Sequence, residues 1–337
     1  MKTKLIGLLI CIMLLTTLFA AAKPVNTIPE KTSAKTQTAS ATMVDVPVWA
    51  VGDTWTYQVD DISINYTTDT QSIQLHGSLS ELPLEVTSTT GDFYTLSFET
   101  TMNGIGYINA NPVDGPVNVS VTISDLAIEG TVQIEKSSLG IKDITLSFDN
   151  QKITFTINDQ PYLPLPKWLH ILSAKFTSDI DVNCDISVAL LSFPLNIGMF
   201  WDLVATSFSV NGQLEGKLFN LLYFLNNVVK LFGKELIPAE IAALLPIIDF
   251  NEALTSFLGT NVFEIPGFVG VFYCPATETI SVPAGTYDAY NITLMGGIGQ
   301  CYYAPTAGNI IRLRGNFEDF IPFVKSIDLT LLDTTYS

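Results

Sequence analysis

The chain of 337 residues has few of the side chains that carry most enzymatic and metal chemistry. It contains two histidines, His76 and His170, and four cysteines. It has no Gly-x-Ser-x-Gly nucleophile elbow, and neither histidine stands in a motif with a nucleophile. Zinc sites need clustered histidine, cysteine and acidic ligands, and none are clustered here. The sequence therefore predicts no catalytic residue, no bound metal and no cofactor.

Positive charge is scarce as well. Sixteen lysines and arginines stand against 33 aspartates and glutamates, which gives a net charge of −17. A surface this acidic repels nucleic acid and anionic membranes, so nucleic acid is not expected as a partner. Charged residues make up only 15% of the chain, and its mean hydropathy is +0.35. The folded protein is therefore expected to bury or shelter much apolar surface.

The N-terminus resembles a targeting segment. Lys2 and Lys4 precede the apolar stretch 5–19, and three alanines at 20–22 supply an Ala-x-Ala cleavage signal. The sequence predicts a signal peptide over residues 1–22 and a protein that is secreted or held at the extracytoplasmic cell surface. The 18 uncharged residues at 5–22 also approach the length of a membrane span. A leader that stays uncleaved and tethers the protein to the membrane is therefore the alternative.

Beyond residue 45 most of the chain alternates between apolar and polar residues with the period of β-strands. The run 176–190 keeps this alternation for about 15 residues, which implies a large, curved sheet. Residues 149–152 between two shorter alternating runs predict a hairpin turn. Two similar segments, Gly52 to Trp55 and Gly198 to Trp201, indicate a duplication with a boundary near residue 192.

These patterns predict a mainly β (α+β) fold of two large, half-barrel-like curved antiparallel sheets. A Ser/Thr-rich linker at 23–45 should precede an N-terminal β half at 46–192 and a C-terminal β half at 193–337.

An aliphatic insertion at 217–259 interrupts the second half and should pack as helices against its sheet. The spacing predicts helices near 217–232, 238–247 and 250–258. In the first of these, apolar residues fill an arc of ~180°, whereas an ordinary surface helix needs only ~100°. The wide arc favours either a helix covered on most sides by plain core packing or one that faces an apolar ligand. In the second case a ligand cavity would be lined by Leu218, Leu222, Leu225, Val229 and Phe232.

Three cysteines follow the leader, and an oxidising compartment would permit one bridge between them. Cys274 and Cys301 flank the turn predicted at 283–286, so we expect them to form a disulfide. Cys184 should then be a buried thiol on the apolar face of its strand. Three Asn-x-Ser/Thr triplets are candidate glycosylation acceptors, at Asn65, Asn118 and Asn291.

The C-terminal half carries three short patterns in order: FPLNIGMFW at 193–201, ISVPAGTYDAY at 280–290 and YYAPTAGNIIR at 302–312. They resemble exported bacterial and archaeal proteins of unknown function, which are loosely similar to periplasmic lipoprotein carriers of the LolA/LolB type. This resemblance covers the C-terminal half only. It implies a half-open β-barrel wrapped around apolar helices, with acyl chains held between the barrel and the helices, and it assigns no ligand-contacting residue.

These features together predict an exported, non-enzymatic binding protein with an apolar cavity for a lipid or another hydrophobic small molecule. The alternative is a structural or adhesive cell-surface protein with a solid core. A third hypothesis is a secreted hydrolase with an unrecognised carboxylate site. An enclosed apolar cavity favours the first hypothesis, a solid core the second, and convergent buried acids the third. The sequence identifies no protein partner.

Overall fold

A computed structural model of the chain describes residues 43–67, 71–110, 117–158, 167, 170–231, 262–265, 267–294, 299–316 and 324–336. These residues form fourteen strands, one α-helix and a short 3-10 turn at Pro305–Ala307. Six strands belong to the predicted N-terminal half: β1 (Thr54–Thr67), β2 (Gln71–Thr90), β3 (Phe93–Ala110), β4 (Val117–Glu135), β5 (Ile141–Ile157) and β6 (Ile171–Val188).

The remaining elements follow residue 193. They are β7 (Phe200–Leu203), β8 (Thr206–Gly216), α1 (Leu218–Lys230), β9 (Val262–Ile265), β10 (Phe268–Val282), β11 (Gly285–Leu294), β12 (Gly299–Ala304), β13 (Asn309–Asn316) and β14 (Val324–Thr334).

All fourteen strands belong to one sheet, in the order β7-β10-β11-β12-β13-β14-β1-β2-β3-β4-β5-β6-β8-β9. Every neighbouring pair is antiparallel. The predicted mainly β, antiparallel fold is confirmed, but the two halves share one sheet instead of forming two. They are joined because β14 pairs with β1, from Trp55 opposite Thr334 to Ile64 opposite Val324.

Strand β6 shows how the alternation in the sequence produces the core. Phe176, Ile180 and Val182 are buried, whereas Asp179 and Asp181 between them are exposed. Successive side chains of a strand point to opposite faces, so one face is apolar and the other is hydrated. The alternation ends near the C-terminus of β6, where Ile186 is 51% exposed instead of buried. The cause is a shift in the register between β5 and β6. It lies between the cross-strand pair that contains Asp143 and the next pair, which contains Ile141.

The hairpin predicted at 149–152 is wrong, because β5 runs through this segment without turning. Asn150 has a φ of 48°, and the β5–β6 register shifts between Phe148 and Gln151. Asp125, on the neighbouring strand β4, also has a positive φ, of 49°. Polar residues therefore mark an irregularity that crosses adjacent strands, and such bulges bend a sheet without ending its strands.

The two Gly-x-x-Trp segments have the same local structure. Gly52 has a φ of 95° and Gly198 a φ of 85°, values that favour glycine. The N–H of Gly52 donates to the carbonyl of Val86 on β2, and the N–H of Gly198 donates to that of Cys274 on β10. The N–H groups of Val86 and Cys274 in turn donate to the carbonyls of the residues that follow the two glycines. Each turn thus fixes the start of a strand against its neighbour in the same way.

The first predicted helix is confirmed as α1, and the helices predicted at 238–247 and 250–258 lie outside the described residues. The helix packs mainly against β6, not against the sheet strands of the second half. This placement follows from the chain path, because β8 pairs with β6 and the N–H of Lys217 donates to the carbonyl of Lys175. Within the described residues, no helix has the length and apolarity needed to cross a membrane.

Candidate functional site

An apolar cavity of about 170 Å³ lies at the end of the sheet where β1, β3, β5 and β13 begin. Its wall combines strands of both halves with the loop that follows β6. Aliphatic and aromatic side chains dominate this wall, among them Trp49, Leu96, Phe98, Ile134, Leu146 and Leu313. Among the residues that the structure describes, no charged side chain lines the cavity.

The polar tips of the aromatic wall residues are engaged in hydrogen bonds with the backbone. The indole Nε1 of Trp49 donates to the carbonyl of Gly308 at 2.9 Å, and the hydroxyl of Tyr57 donates to the carbonyl of Ile310 at 2.8 Å. Burial raises the pKa of Tyr57 far above its ordinary value, so its hydroxyl stays neutral. The wall therefore offers apolar surface to a ligand and keeps its own polar atoms satisfied.

Aromatic packing holds this wall in place. The ring of Trp49 lies 4.7 Å from the ring of Trp55 and 5.0 Å from that of Tyr94. The hydroxyl oxygen of Tyr94 also accepts a hydrogen bond from the backbone N–H of Trp49 at 3.1 Å. Aromatic pairs at these separations attract one another beyond the burial of their area. The cavity is therefore bounded by a cluster that resists collapse.

The cavity has a deep end and an accessible rim. Leu96 and Leu146 are buried at the deep end, whereas Leu84, Leu139 and Leu190 are only partly buried. Solvent therefore reaches the rim of the cavity.

The volume limits what the cavity can hold. An engineered protein cavity of ~150 Å³ accommodates benzene. A space of about 170 Å³ thus takes an apolar group of roughly six carbon atoms. It is smaller than typical pockets for whole ligands, which measure ~300–1,000 Å³. A lipid would place only the end of one chain inside.

This cavity is not the one that the sequence predicted beside the helix. Leu225 is fully buried on α1 but does not line the cavity. The side chains of Leu218, Leu222 and Val229, and all of Phe232, lie outside the described residues. Sequence reasoning missed the actual wall because its members are ordinary core positions of separate strands. Only the pairing register brings them together, and no local pattern in the sequence indicates it.

The predicted Cys274–Cys301 disulfide is wrong, since Cys184, Cys274 and Cys301 are all free and buried. Cys301 on β12 lies opposite Ile292 on β11, and Cys274 lies on β10 at the other side of β11. Neighbouring strands are ~4.8 Å apart, so two strand spacings separate the cysteines by ~10 Å. Disulfides require Cα atoms within ~7 Å. The expectation that Cys184 is a buried thiol is confirmed.

Burial also makes these thiols poor nucleophiles. It raises the pKa of Cys184 and of Cys274 to about 11, and it raises the pKa of Cys301 further. The reactive form of cysteine is the thiolate, which is scarce at neutral pH when the pKa is this high. The three side chains therefore act as small apolar core residues.

One serine, one histidine and one aspartate lie close together, but in the wrong order for a catalytic triad. His76 Nδ1 is 3.8 Å from Asp61 Oδ1, and the Ser326 hydroxyl donates a short hydrogen bond to Asp61 Oδ2. In a triad the histidine must lie between the serine and the acid. Here the aspartate occupies the middle, so the arrangement is not that of a Ser-His-Asp triad.

Buried acidic residues and metal-binding clusters are also missing from the part of the chain that the structure describes. Its fully buried polar residues include no aspartate or glutamate. No group of three His, Cys, Asp or Glu side chains within this part could hold a metal ion. The described residues therefore contain no convergent buried acids of the kind that the hydrolase hypothesis requires.

The three candidate glycosylation sites differ in accessibility. Asn291 is buried on β11, and its Nδ2 donates to Glu278 Oε1 at 2.6 Å. The amide nitrogen of Asn291 is therefore poorly accessible for glycosylation in the folded protein. Asn65 and Asn118 are partly exposed, and their modification stays a prediction.

Comparison with known proteins adds no assignment. A scan against protein-family models found no match, and neither did searches of curated proteins and of solved structures. The resemblance to LolA/LolB-type carriers therefore stays a prediction from the sequence, and the functional argument depends on the geometry of the chain itself.

Proposed function

We propose that this protein is an exported, non-enzymatic binding protein that holds a small, uncharged apolar group in the cavity between the two halves. The observation that carries this proposal is an apolar space of about 170 Å³ with a solvent-accessible rim. Its export is inferred from the predicted signal peptide at 1–22.

The size of the cavity sets the strength of binding. Unfilled volume in a protein core costs about 24 cal/mol per Å³. A cavity of about 170 Å³ therefore represents at most about 4 kcal/mol that a well-fitting occupant can recover. That free energy corresponds to a Kd of about 1 mM. A longer ligand that also covers the rim would bind more tightly, because it buries additional apolar area.

The chemistry of the wall selects the kind of group. The described part of the wall has no side chain that could neutralise a buried charge. Moving an unpaired charge out of water into an apolar space is strongly unfavourable. The enclosed part of the ligand must therefore be a hydrocarbon or an aromatic ring, and any charged part must stay outside the rim.

A cavity-filling substitution tests this function. Val132 lines the cavity, so Val132→Phe places a ring inside it. We expect wild-type protein to bind benzene with a Kd of about 1 mM, and the variant to lose this binding. The matched control is Val204→Phe, because Val204 is 60% exposed and lies outside the cavity. Binding is measured by NMR titration of the full chain.

The opposite result supports the structural hypothesis. If wild-type protein binds no benzene and Val132→Phe only raises the unfolding free energy, the cavity is a packing gap in a structural protein. If both phenylalanine variants bind benzene as the wild type does, the binding site lies elsewhere and the proposal is wrong.

A further inference from the structure

The correspondence between the two halves extends from the glycine turns to the strand registers. Trp55 lies opposite Leu84, and Trp201 lies opposite Phe272. Likewise Tyr94 lies opposite Ile134, and Tyr290 lies opposite Tyr303. In these registers Leu84 corresponds to Phe272, and Ile134 corresponds to Tyr303.

Irregularities of the ladders correspond as well. The β4–β5 register shifts between Gln133 and Ile134, after which Ile134 lies opposite Ile141. The β12–β13 register shifts between Tyr302 and Tyr303, after which Tyr303 lies opposite Ile310. A bulge at the same step of two ladders is a specific structural feature. Strands β1 to β5 and strands β7 and β10 to β13 are therefore equivalent repeats.

The cavity lies between these repeats and involves equivalent residues of both. Ile141 and its counterpart Ile310 line it. Ile144 and its counterpart Leu313 also line the cavity. Ile144 lies opposite Val132, and Leu313 lies opposite Cys301. The remaining wall is asymmetric, because most of it comes from the first repeat.

Two aromatic residues contribute to this asymmetry. Leu84 and Ile134 line the cavity, but their counterparts Phe272 and Tyr303 do not. Phe272 stacks on Trp201 with ring centroids 5.5 Å apart, and Tyr303 meets the ring of Phe193 edge-on, also at 5.5 Å. Both counterparts are buried, with exposures of 2% and 0%. The larger rings thus occupy space that the first repeat leaves open.

A polar role does not explain the tyrosine. Among the described residues, the buried hydroxyl of Tyr303 has no hydrogen-bond partner. Without such a partner the hydroxyl adds no hydrogen bond to this packing, and the ring contributes through its volume.

We infer that the chain contains two repeat-related positions for an apolar group, and that Phe272 and Tyr303 close the second one. Leu84 and Ile134 are then the residues that keep the first position open and determine what fits there. The ligand class in this inference rests on the proposed function. The equivalence of the two positions rests on the strand registers alone.

Exchange of these residues between the repeats tests the inference. The full chain is crystallised as wild type, as Leu84→Phe/Ile134→Tyr and as Phe272→Leu/Tyr303→Ile, and each crystal is pressurised with xenon. Xenon occupies dry apolar cavities and is located by its anomalous scattering. We expect one site in the wild type, none in the first variant, and an additional site beside Trp201 in the second variant.

The variant Tyr303→Phe is the matched control, because it keeps the ring and removes only the hydroxyl. It should show the wild-type xenon pattern. The inference is overturned if Phe272→Leu/Tyr303→Ile gains no site, or if Leu84→Phe/Ile134→Tyr keeps the original site at full occupancy. If either double variant fails to crystallise, the number of xenon sites is obtained from the chemical-shift changes that xenon causes in its NMR spectrum.

The outcomes also separate the inference from the proposed function. Xenon in the exchanged position of Phe272→Leu/Tyr303→Ile, with none in the wild-type cavity, would support the equivalence of the repeats and contradict the proposed function. A single xenon site that is equally occupied in the wild type and in both double variants would support the proposed function and contradict the inference.

Discussion

Shortening a leucine at the deep end of the cavity should have a different effect from shortening one in the close-packed core. Leu146 lines the cavity and Leu79 does not, and both are fully buried. Leucine-to-alanine changes in a core cost about 2.7–5.0 kcal/mol. Leu146 already faces empty space, so Leu146→Ala should fall near the lower value and Leu79→Ala nearer the upper one.

Ligand provides the sharper contrast between these variants. With a Kd of about 1 mM, benzene at about 10 mM should stabilise the wild type and Leu79→Ala by about 1.4 kcal/mol each, because both have the same cavity. It should stabilise Leu146→Ala by more, because this truncation enlarges the space that the ligand fills. Urea unfolding with and without benzene measures each free energy of unfolding. Equal losses for the two variants, with no greater stabilisation of Leu146→Ala than of wild type by benzene, would refute the reasoning.

Three further predictions concern residues outside the cavity. Gly52→Ala and Gly198→Ala should each lower the free energy of unfolding by about 1–2 kcal/mol, since both glycines have a positive φ; clearly unequal losses in urea unfolding would contradict the equivalence of the turns. Burial raises the pKa of Cys274 to about 11, against an ordinary 9.0. The folded state therefore favours the protonated thiol, and the stability that this provides is fully present below pH 9 and is lost as the pH rises towards 11. In urea unfolding at alkaline pH, Cys274→Ala should show a smaller loss of unfolding free energy between pH 9 and pH 11 than the wild type. An equal loss in both proteins would contradict this prediction. Asn291→Asp should destabilise the protein by about 1–3 kcal/mol at neutral pH, because it places a second carboxylate beside Glu278; the loss should shrink as the pH falls to about 4, and a pH-independent loss would exclude this cause.

The sequence allowed prediction of those features that depend on residues close together in the chain. The alternation from Phe176 to Val182 predicted the buried face of β6, because a strand with one hydrated face requires it. The apolar spacing from 218 to 232 predicted α1 for a similar reason. Both signals need no knowledge of the partner strands.

The features that failed depend on which strands are neighbours. Residues 149–152 have the composition of a turn, yet Asn150 takes a positive φ within a continuous strand because its neighbours pair on both sides. The disulfide prediction placed Cys274 and Cys301 on adjacent strands, but β11 lies between them. The cavity depends on side-chain sizes across eight strands of both halves, so no single segment of the sequence predicts it.

The length of the hydrocarbon that the cavity accepts tests the central claim most directly. Straight-chain alcohols from butanol to decanol are titrated against the full chain, and Kd is measured for each. A cavity of about 170 Å³ predicts that affinity increases about fourfold per added methylene up to about six carbons, and by a smaller factor beyond that, where further carbons cover only the rim. Affinities that do not depend on chain length, or that keep increasing by the same factor to decanol, would contradict the account.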